Sequence, residues 1–250
     1  MSSDMGLAAD EACAQAPTSK GDEAMSIGFR VLKRAVAIAP ELAKAFDDVP
    51  VANVSDSMFR MTSAGTRLRP YHGGGRRLSG AALTVKTRPG DNLMFHKALD
   101  MAVPGDVVVV DAGGDLTNAM MGELMAHHAA ALGLAGIVIN GAIRDLDEIR
   151  QLGLPVYAAG VTHRGPYKDG PGEINVPVSI DGMVVMPGDL VIGDEDGVLC
   201  VPRAQAEEVL RAAHAKQRAE LEELGQIRAG KSDRSWVDLV LTQKNCSFEP

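Results

Sequence analysis

The stretch from Asp111 to Asp145, DAGGDLTNAMMGELMAHHAAALGLAGIVINGAIRD, constrains the fold more than any other part of the chain. Four consecutive valines, Val107 to Val110, run into a Gly-rich turn, and a helical segment opens at Gly122 and Glu123. A second apolar run, Ile137 to Ile139, follows and ends on Arg144 and Asp145. Two short apolar runs separated by a helix-length segment read as a βαβ unit, which requires a parallel sheet with a helix packed on it. In an open parallel sheet, small ligands bind in the crevice outside the carboxyl ends of neighbouring strands. The Gly122 turn and the Arg144–Asp145 pair both fall just past such ends, so this stretch is the expected site.

The flanks complete an α/β pattern. Residues 1–23 are rich in Ala, Ser, Asp and Gly without a period and read as a flexible leader. Met25, Ile27, Val31 and Leu32 predict a short helix between Ala24 and Arg34, and Pro40 to Phe46 predicts another, with Pro in its first turn. Ser55 and Asp56, ahead of Met58 and Met61, read as helix-start caps, with proximity to a substrate as the alternative. Leu78 to Thr87 is a strand. Asp91 or Asn92 caps the next helix, whose apolar face is Leu93, Phe95, Ala98, Leu99 and Met101, with His96 in a structural role.

Beyond the central stretch, helix Leu146 to Leu152 and strand Val156 to Ala159 precede a polar loop, THRGPYKDGPGE. Ile174 to Val201 is a set of short strands parted by Asp-Gly and Pro-Gly turns, so an antiparallel section packs on the same core. Pro202 to Leu224 is helical with sparse apolar positions, which places it across the surface or against a neighbouring subunit. The apolar tail around Trp236, Val237, Leu239, Val240 and Leu241 reads as a docking element. The expected organisation is a leader at 1–23, one catalytic domain at 24–203, and a helical extension at 204–250.

Several function classes drop out. Acidic residues outnumber basic ones, 33 to 25, for a net charge of −8, which disfavours nucleic-acid and anionic-membrane partners. Arg67, Arg69, Arg76 and Arg77 form the one basic cluster and read as a solvated loop or subunit contact. Cys13, Cys200 and Cys246 are far apart and in no CxxC pair, which argues against a disulfide framework and a structural zinc site; Cys200 reads as a small buried hydrophobe. No apolar run reaches membrane-spanning length and no signal peptide opens the chain, so a cytoplasmic location is expected. P-loop, GxGxxG, GxSxG and HExxH patterns are missing. His127 and His128 sit about 100° apart on their helix and cannot share a metal, so one is expected buried and one exposed.

The Gly122-Glu123-Leu124-Met125 turn remains. Free N–H groups at a helix N-terminus form a ready site for a carboxylate or phosphate, and Gly122 lets a ligand approach the backbone. The helix and returning strand bring Arg144 and Asp145 back to the same edge. Arg144 offers a planar fork matched to a carboxylate or 2-oxo acid, Asp145 suits a hard divalent cation with a water shell, and Lys168 could add positive charge. Read from residues alone, the site binds a small anionic keto acid on a metal, and a plain surface Arg–Asp pair stays open beside that reading.

At these residues the chain resembles the family that joins class II pyruvate aldolases, acting on 4-hydroxy-4-methyl-2-oxoglutarate and 4-carboxy-4-hydroxy-2-oxoadipate, with the RraA regulators of ribonuclease E. The resembling segments are VSDSM, PGDNLMFHKAL, PGDVVVVDAGG, the GELMA turn, GIVINGAIRD and VPVSIDGMVVMPGDLVIGDEDGV. The most specific is the acidic residue, gap of twenty, Arg-Asp pattern formed by Glu123, Arg144 and Asp145. The resemblance implies a swivelling β/β/α domain, a layered sandwich of parallel and antiparallel strands with flanking helices, assembled as homotrimers or homohexamers. It implies that the backbone of Gly122, Glu123, Leu124 and Met125, with Arg144, holds the pyruvyl part, and that Asp145 binds Mg²⁺ or Mn²⁺ largely through water. Glu123 would orient a water and Lys168 would contact the distal carboxylate. The implied activity is metal-dependent cleavage of a 4-hydroxy-2-oxo acid to pyruvate plus a keto acid, with oxaloacetate decarboxylation on the side.

The alternative is a non-catalytic regulator that binds a ribonuclease. That branch typically lacks the acid after the arginine, and Asp145 is present. The family's other label, menaquinone methyltransferase, is disfavoured by the missing adenosylmethionine-type glycine motif. His127, His128 and the leader depart from the family's pattern.

Overall fold

The computed structural model describes residues 26–73 and 75–248. In chain order it runs β1 (Phe29–Val31), α1 (Pro40–Lys44), α2 (Val51–Ser57), β2 (Arg69–Pro70), β3 (Leu78–Thr87), α3 (Leu93–Met101), β4 (Asp106–Asp111) and β5 (Ala119–Met121). Then follow α4 (Glu123–Ala131), β6 (Gly136–Ile143), α5 (Leu146–Leu152), β7 (Val156–Val161), β8 (Gly172–Ile174), β9 (Val178–Ile180), β10 (Met183–Val185), β11 (Leu190–Asp194) and β12 (Gly197–Val201). A 3₁₀ turn at Arg203–Gln205 leads into α6 (Ala206–Arg228) and α7 (Ser235–Gln243). The predicted leader lies outside the described residues.

A ten-stranded mixed sheet runs β1-β8-β3-β4-β6-β7-β2, with β5 beside β6 and the hairpin β11–β12 joined to β3 through β11. β3, β4, β6 and β7 are parallel, in a register that aligns Leu83, Val108, Ile137 and Val156. The valines of β4 are fully buried, as a central parallel strand covered on both faces requires. Val108 and Val110 pack toward Phe95, Leu99, Ala126, Ala129 and Ile149 on α3, α4 and α5. Val107 and Val109 pack the other way, into a cluster with Val178, Ile180 and Met183 of the separate hairpin β9–β10 and with Cys200. Sheet, helix layer and second strand layer together make the expected β/β/α sandwich. Each buried valine contributes about 1.5–3 kcal/mol, more than the roughly 1 kcal/mol span of strand propensities, so two-faced burial fixes β4.

Four local readings change. The predicted Ala24–Arg34 helix does not form in its described part, which holds a turn and strand β1 instead: Gly28 takes φ +94° and Phe29–Val31 pair in parallel with Gly172–Ile174. Arg30 Nε donates to Glu173 Oε1 at 2.6 Å and Asn175 Nδ2 to the Leu32 carbonyl at 2.9 Å, non-local partners invisible to a local apolar pattern. Ser55 and Asp56 sit in the last turn of α2, which starts after Pro50 and ends where Phe59 and Arg60 take positive φ. There Ser55 Oγ pairs with Ser63 Oγ at 2.9 Å, while Asp56 bridges Arg60 at 2.8 Å and Lys216 at 3.0 Å, and the bond from Lys216 holds the Asp56 carboxyl below its usual range.

His127 and His128 are both exposed, because the buried stripe of α4 is Met125, Ala126 and Ala129, and both imidazoles fall outside it. The fourth change is α6, whose start is core: Ala206, Val209 and Ala213 are buried in a cluster with Val54, Leu199 and Val201. The second half of α6 is exposed, and α7, with Trp236 and Leu239 in solvent, has no buried residue. Among the described residues, no helix is long and apolar enough to cross a membrane. The basic cluster is divided: Arg67 donates to the Gly114 carbonyl at 3.0 Å, and Arg77 to that of Asp47 at 3.0 Å.

Candidate active site

The site is built by two neighbouring strand ends. β5, which the sequence does not announce, pairs in parallel with β6, Ala119 opposite Ala142 and Met121 opposite Ile143. Gly122 leaves the end of β5 and Arg144 the end of β6, and the Arg144 N–H donates to the Met121 carbonyl at 3.0 Å, locking the two tips together. The twenty-residue gap therefore spans α4 and the returning strand between adjacent tips.

At Gly122 the chain turns into α4. The first helical bond runs from the Ala126 N–H to the Gly122 carbonyl at 3.1 Å, so the N–H groups of Glu123, Leu124 and Met125 lie ahead of the ladder. Asp145 takes one of them. Its backbone is left-handed, φ 60° and ψ 49°, a conformation that strains most side chains by about 1–3 kcal/mol but that Asp tolerates better than most. The carboxylate makes no cap to its own helix α5; instead its Oδ2 accepts the Glu123 N–H at 3.0 Å, where the positive end of α4 favours an anion. Arg144 Nε stands 3.5 Å from the same oxygen. A Cβ on Gly122 would overlap the Asp145 carboxylate and press on Arg144 Nε at 3.0 Å, so any other residue here must displace both side chains.

These groups border a cavity of about 160 Å³. Its wall includes Gly122, Glu123, Leu124, Met125, Arg144, Asp145 and Lys168, so every residue singled out from the sequence meets here. The volume, below the roughly 300–1,000 Å³ of drug-sized pockets, suits a small metabolite-sized ligand. Two further wall residues were read otherwise from sequence. Asp91 is the capping side chain of α3, its Oδ1 accepting the Leu93 N–H at 3.0 Å, and this leaves Asn92 to the cavity wall. Asn92 is buried; its Nδ2 donates to the Met120 carbonyl at 3.0 Å and its Oδ1 has no partner among the described residues. His96, assigned a structural role, also lines the cavity. Its pKa is lowered from 6.5, first by burial and next by Lys168, so it faces the cavity as a neutral imidazole near neutral pH. The i, i+4 spacing of Asn92 and His96, which puts both on one helix face, was the available signal.

The donor set can be tested against a metal. Among the described residues no group of three or more His, Cys, Asp or Glu is arranged around one point, which is unsuited to zinc. One cavity carboxylate, Asp145, with Glu123 on the same rim, fits Mg²⁺ or Mn²⁺, hard cations that can keep several waters and take one or two protein carboxylates plus substrate oxygens.

Fold and site thus define an α/β protein with a small cavity at the carboxyl edge of a mixed sheet, lined by a helix N-terminus, Arg144, Asp145 and Lys168. The chain belongs to the RraA-like family, Aldolase/RraA, which matches residues 51–200. It is 41% identical over 172 residues, 69% of this chain and 81% of the relative, to a Halalkalibacterium halodurans protein named "Putative 4-hydroxy-4-methyl-2-oxoglutarate aldolase". It is 37% identical over 130 residues, 52% of this chain and 79% of the relative, to the 4-hydroxy-4-methyl-2-oxoglutarate aldolase of Thermus thermophilus. Among solved structures, the RNA-processing inhibitor RraA from Thermus thermophilus aligns with a TM-score of 0.58 at 32% identity, covering 62% of this chain and 93% of that one.

Proposed function

We propose that the protein is a divalent-metal-dependent aldolase that cleaves a 4-hydroxy-2-oxo acid, such as 4-hydroxy-4-methyl-2-oxoglutarate or 4-carboxy-4-hydroxy-2-oxoadipate, to pyruvate and a second keto acid. The reading is supported above all by the convergence of the α4 N-terminus, Arg144 and Asp145 on one cavity of about 160 Å³. In it, the amides of Leu124 and Met125 hold the substrate carboxylate, and the Arg144 fork meets the 2-oxo oxygen. As the C4 hydroxyl loses its proton and the C3–C4 bond breaks, the bonding pair moves toward that oxygen, and Arg144 stabilises the charge developing there. Mg²⁺ or Mn²⁺ at Asp145 would supply Lewis-acid polarisation of the same oxygen. Glu123 orients the water that shuttles the proton, and Lys168 holds the distal carboxylate. Oxaloacetate decarboxylation runs to the same pyruvate enolate and is a side activity.

The catalytic unit in this reading is 24–203 together with the buried start of α6, and the exposed remainder of 204–250 is an extension. Exposed Leu124, Val161 and Tyr167, close to the site, suit a subunit contact in a homotrimer or homohexamer. The test is pyruvate release from both aldol substrates and oxaloacetate, with Mg²⁺ or Mn²⁺ and with chelator. Release that requires metal is expected; inactivity on all three with either metal would sink the proposal. A second reading, a ribonuclease-binding regulator, draws on the likeness to the RNA-processing inhibitor and predicts a stoichiometric complex without turnover. The presence of Asp145 in the cavity favours the enzyme.

A further inference from the structure

The Asp91 carboxylate is fully buried, yet its only cationic partner among the described residues, Arg88 at 3.2 Å, is nearly half exposed. It is satisfied by backbone: Oδ1 accepts the Leu93 N–H at 3.0 Å, while Oδ2 accepts those of Asp169 at 2.7 Å and Gly170 at 2.9 Å. One carboxylate therefore ties the first turn of α3 to the loop after β7. Main-chain bonds run alongside it: the Asn92 N–H donates to the Tyr167 carbonyl at 3.0 Å and the Tyr167 N–H to that of Gly90 at 2.9 Å. The two segments joined in this way both contribute to the cavity wall, Asn92 at the start of α3 and His96 within it, Pro166 and Lys168 on the loop.

Capping α3 needs only one oxygen. The second reaches across 78 residues to the loop between β7 and β8, at the two residues that follow Lys168. We propose that Asp91 is a positioning residue that fixes Lys168 at the distal end of the substrate cavity and so sets the preference for substrates carrying a second carboxylate. The inference rests on the aldolase reading. Arg88 reinforces the tie from outside, lying 3.8 Å from Asp169 as well.

Asp91→Asn isolates the effect, because an amide has one acceptor oxygen: whichever way it turns, an NH₂ group faces N–H donors that the carboxylate satisfied. The expected result is a rise in KM of about tenfold for a distal-carboxylate substrate with kcat changed less than about threefold, a loss of binding rather than of chemistry. Lys168→Ala should raise KM similarly, and Asp91→Asn should add nothing in the Lys168→Ala background, as expected of residues acting as one unit. Oxalate, small enough to occupy the Arg144 end alone, should bind the variants as it binds the parent. A purely structural role would instead raise KM equally in both backgrounds, and that overturns the proposal, as does an unchanged KM. Should Asp91→Asn not fold, Arg88→Ala decides: a rise of about threefold, lost in the Lys168→Ala background, supports the tie, and an unchanged KM overturns it. Failure of the aldolase reading is separable, since the parent would then release no pyruvate. In that case, amide exchange at Asp169 and Gly170 unaltered by Asp91→Asn overturns the tie.

Discussion

Replacing Gly122 by Ala tests the site geometry with a single added methyl. Gly122 has φ −137° and ψ −165°, extended backbone open to any residue, so no backbone strain follows from the substitution. The added Cβ would overlap the Asp145 carboxylate and crowd Arg144, with Nε at 3.0 Å and Cγ at 3.1 Å. Asp145 cannot retreat and keep its bond to the Glu123 N–H, and the Arg144 side chain, whose backbone is pinned to Met121, must swing away from the same oxygen. Restoring ordinary contact requires about 1 Å of movement, and a misplacement of that size lowers turnover about 100-fold, or about 2.7 kcal/mol of transition-state stabilisation. Folding should suffer far less, because glycine and alanine differ by about 1 kcal/mol or less at a helix N-cap and the site is solvent-facing. The assay is pyruvate release coupled to lactate dehydrogenase, with thermal unfolding run in parallel. A folded Gly122→Ala enzyme retaining kcat/KM within about threefold of the parent refutes the geometric argument.

Arg144→Lys keeps the charge and removes the fork, and should lower kcat/KM by about 10- to 100-fold, the worth of a hydrogen bond to a charged group; initial rates measured across substrate concentration decide it. Asp145→Asn should lose metal activation while remaining folded, seen as a rate no longer raised by added Mg²⁺ or Mn²⁺. Tyr157→Phe removes the bond from the buried Tyr157 hydroxyl to the Asp194 carbonyl at 3.0 Å, and chemical denaturation should show a loss of about 1 kcal/mol with turnover unchanged. His96 is lowered from 6.5 by burial and by Lys168, so its neutral form favours the folded state. That contribution is present above pH 6.5 and is lost as pH falls through the lower folded-state value, so His96→Gln should flatten the decline of stability below pH 6.5. An identical acid limb in parent and variant contradicts the assignment.

The parts of the fold legible in the sequence are those whose pattern reports burial. β3, β4, β6 and α5 lie where their apolar runs and turn residues place them, because a strand covered on both faces must be apolar throughout. The central βαβ unit and the carboxyl edge on which Arg144 falls follow from spacing, whereas the pairing of β5 with β6 that sets Gly122 beside Arg144 does not. Strand β1 is invisible to a local apolar pattern because what stabilises it, the Glu173, Ile174 and Asn175 partners, lies more than 140 residues away. Ser55 and Asp56 resemble caps locally, yet their partners Ser63 and Lys216 belong to other segments.

Sequence by itself determined the class of the fold, the edge of the sheet that carries the site, and the residues at its chemical end. Tertiary structure alone decided the rest of the cavity. β5, only three residues long, exists because β6 offers it a partner, and it is what delivers Gly122 beside Arg144. Asn92 and His96 became wall residues when α3 came to rest across from the Lys168 loop, held there by the buried Asp91. The physical reason is the same in each case: periodicity encodes whether a residue is buried, whereas the identity of the atom it touches depends on chain segments brought together only by folding.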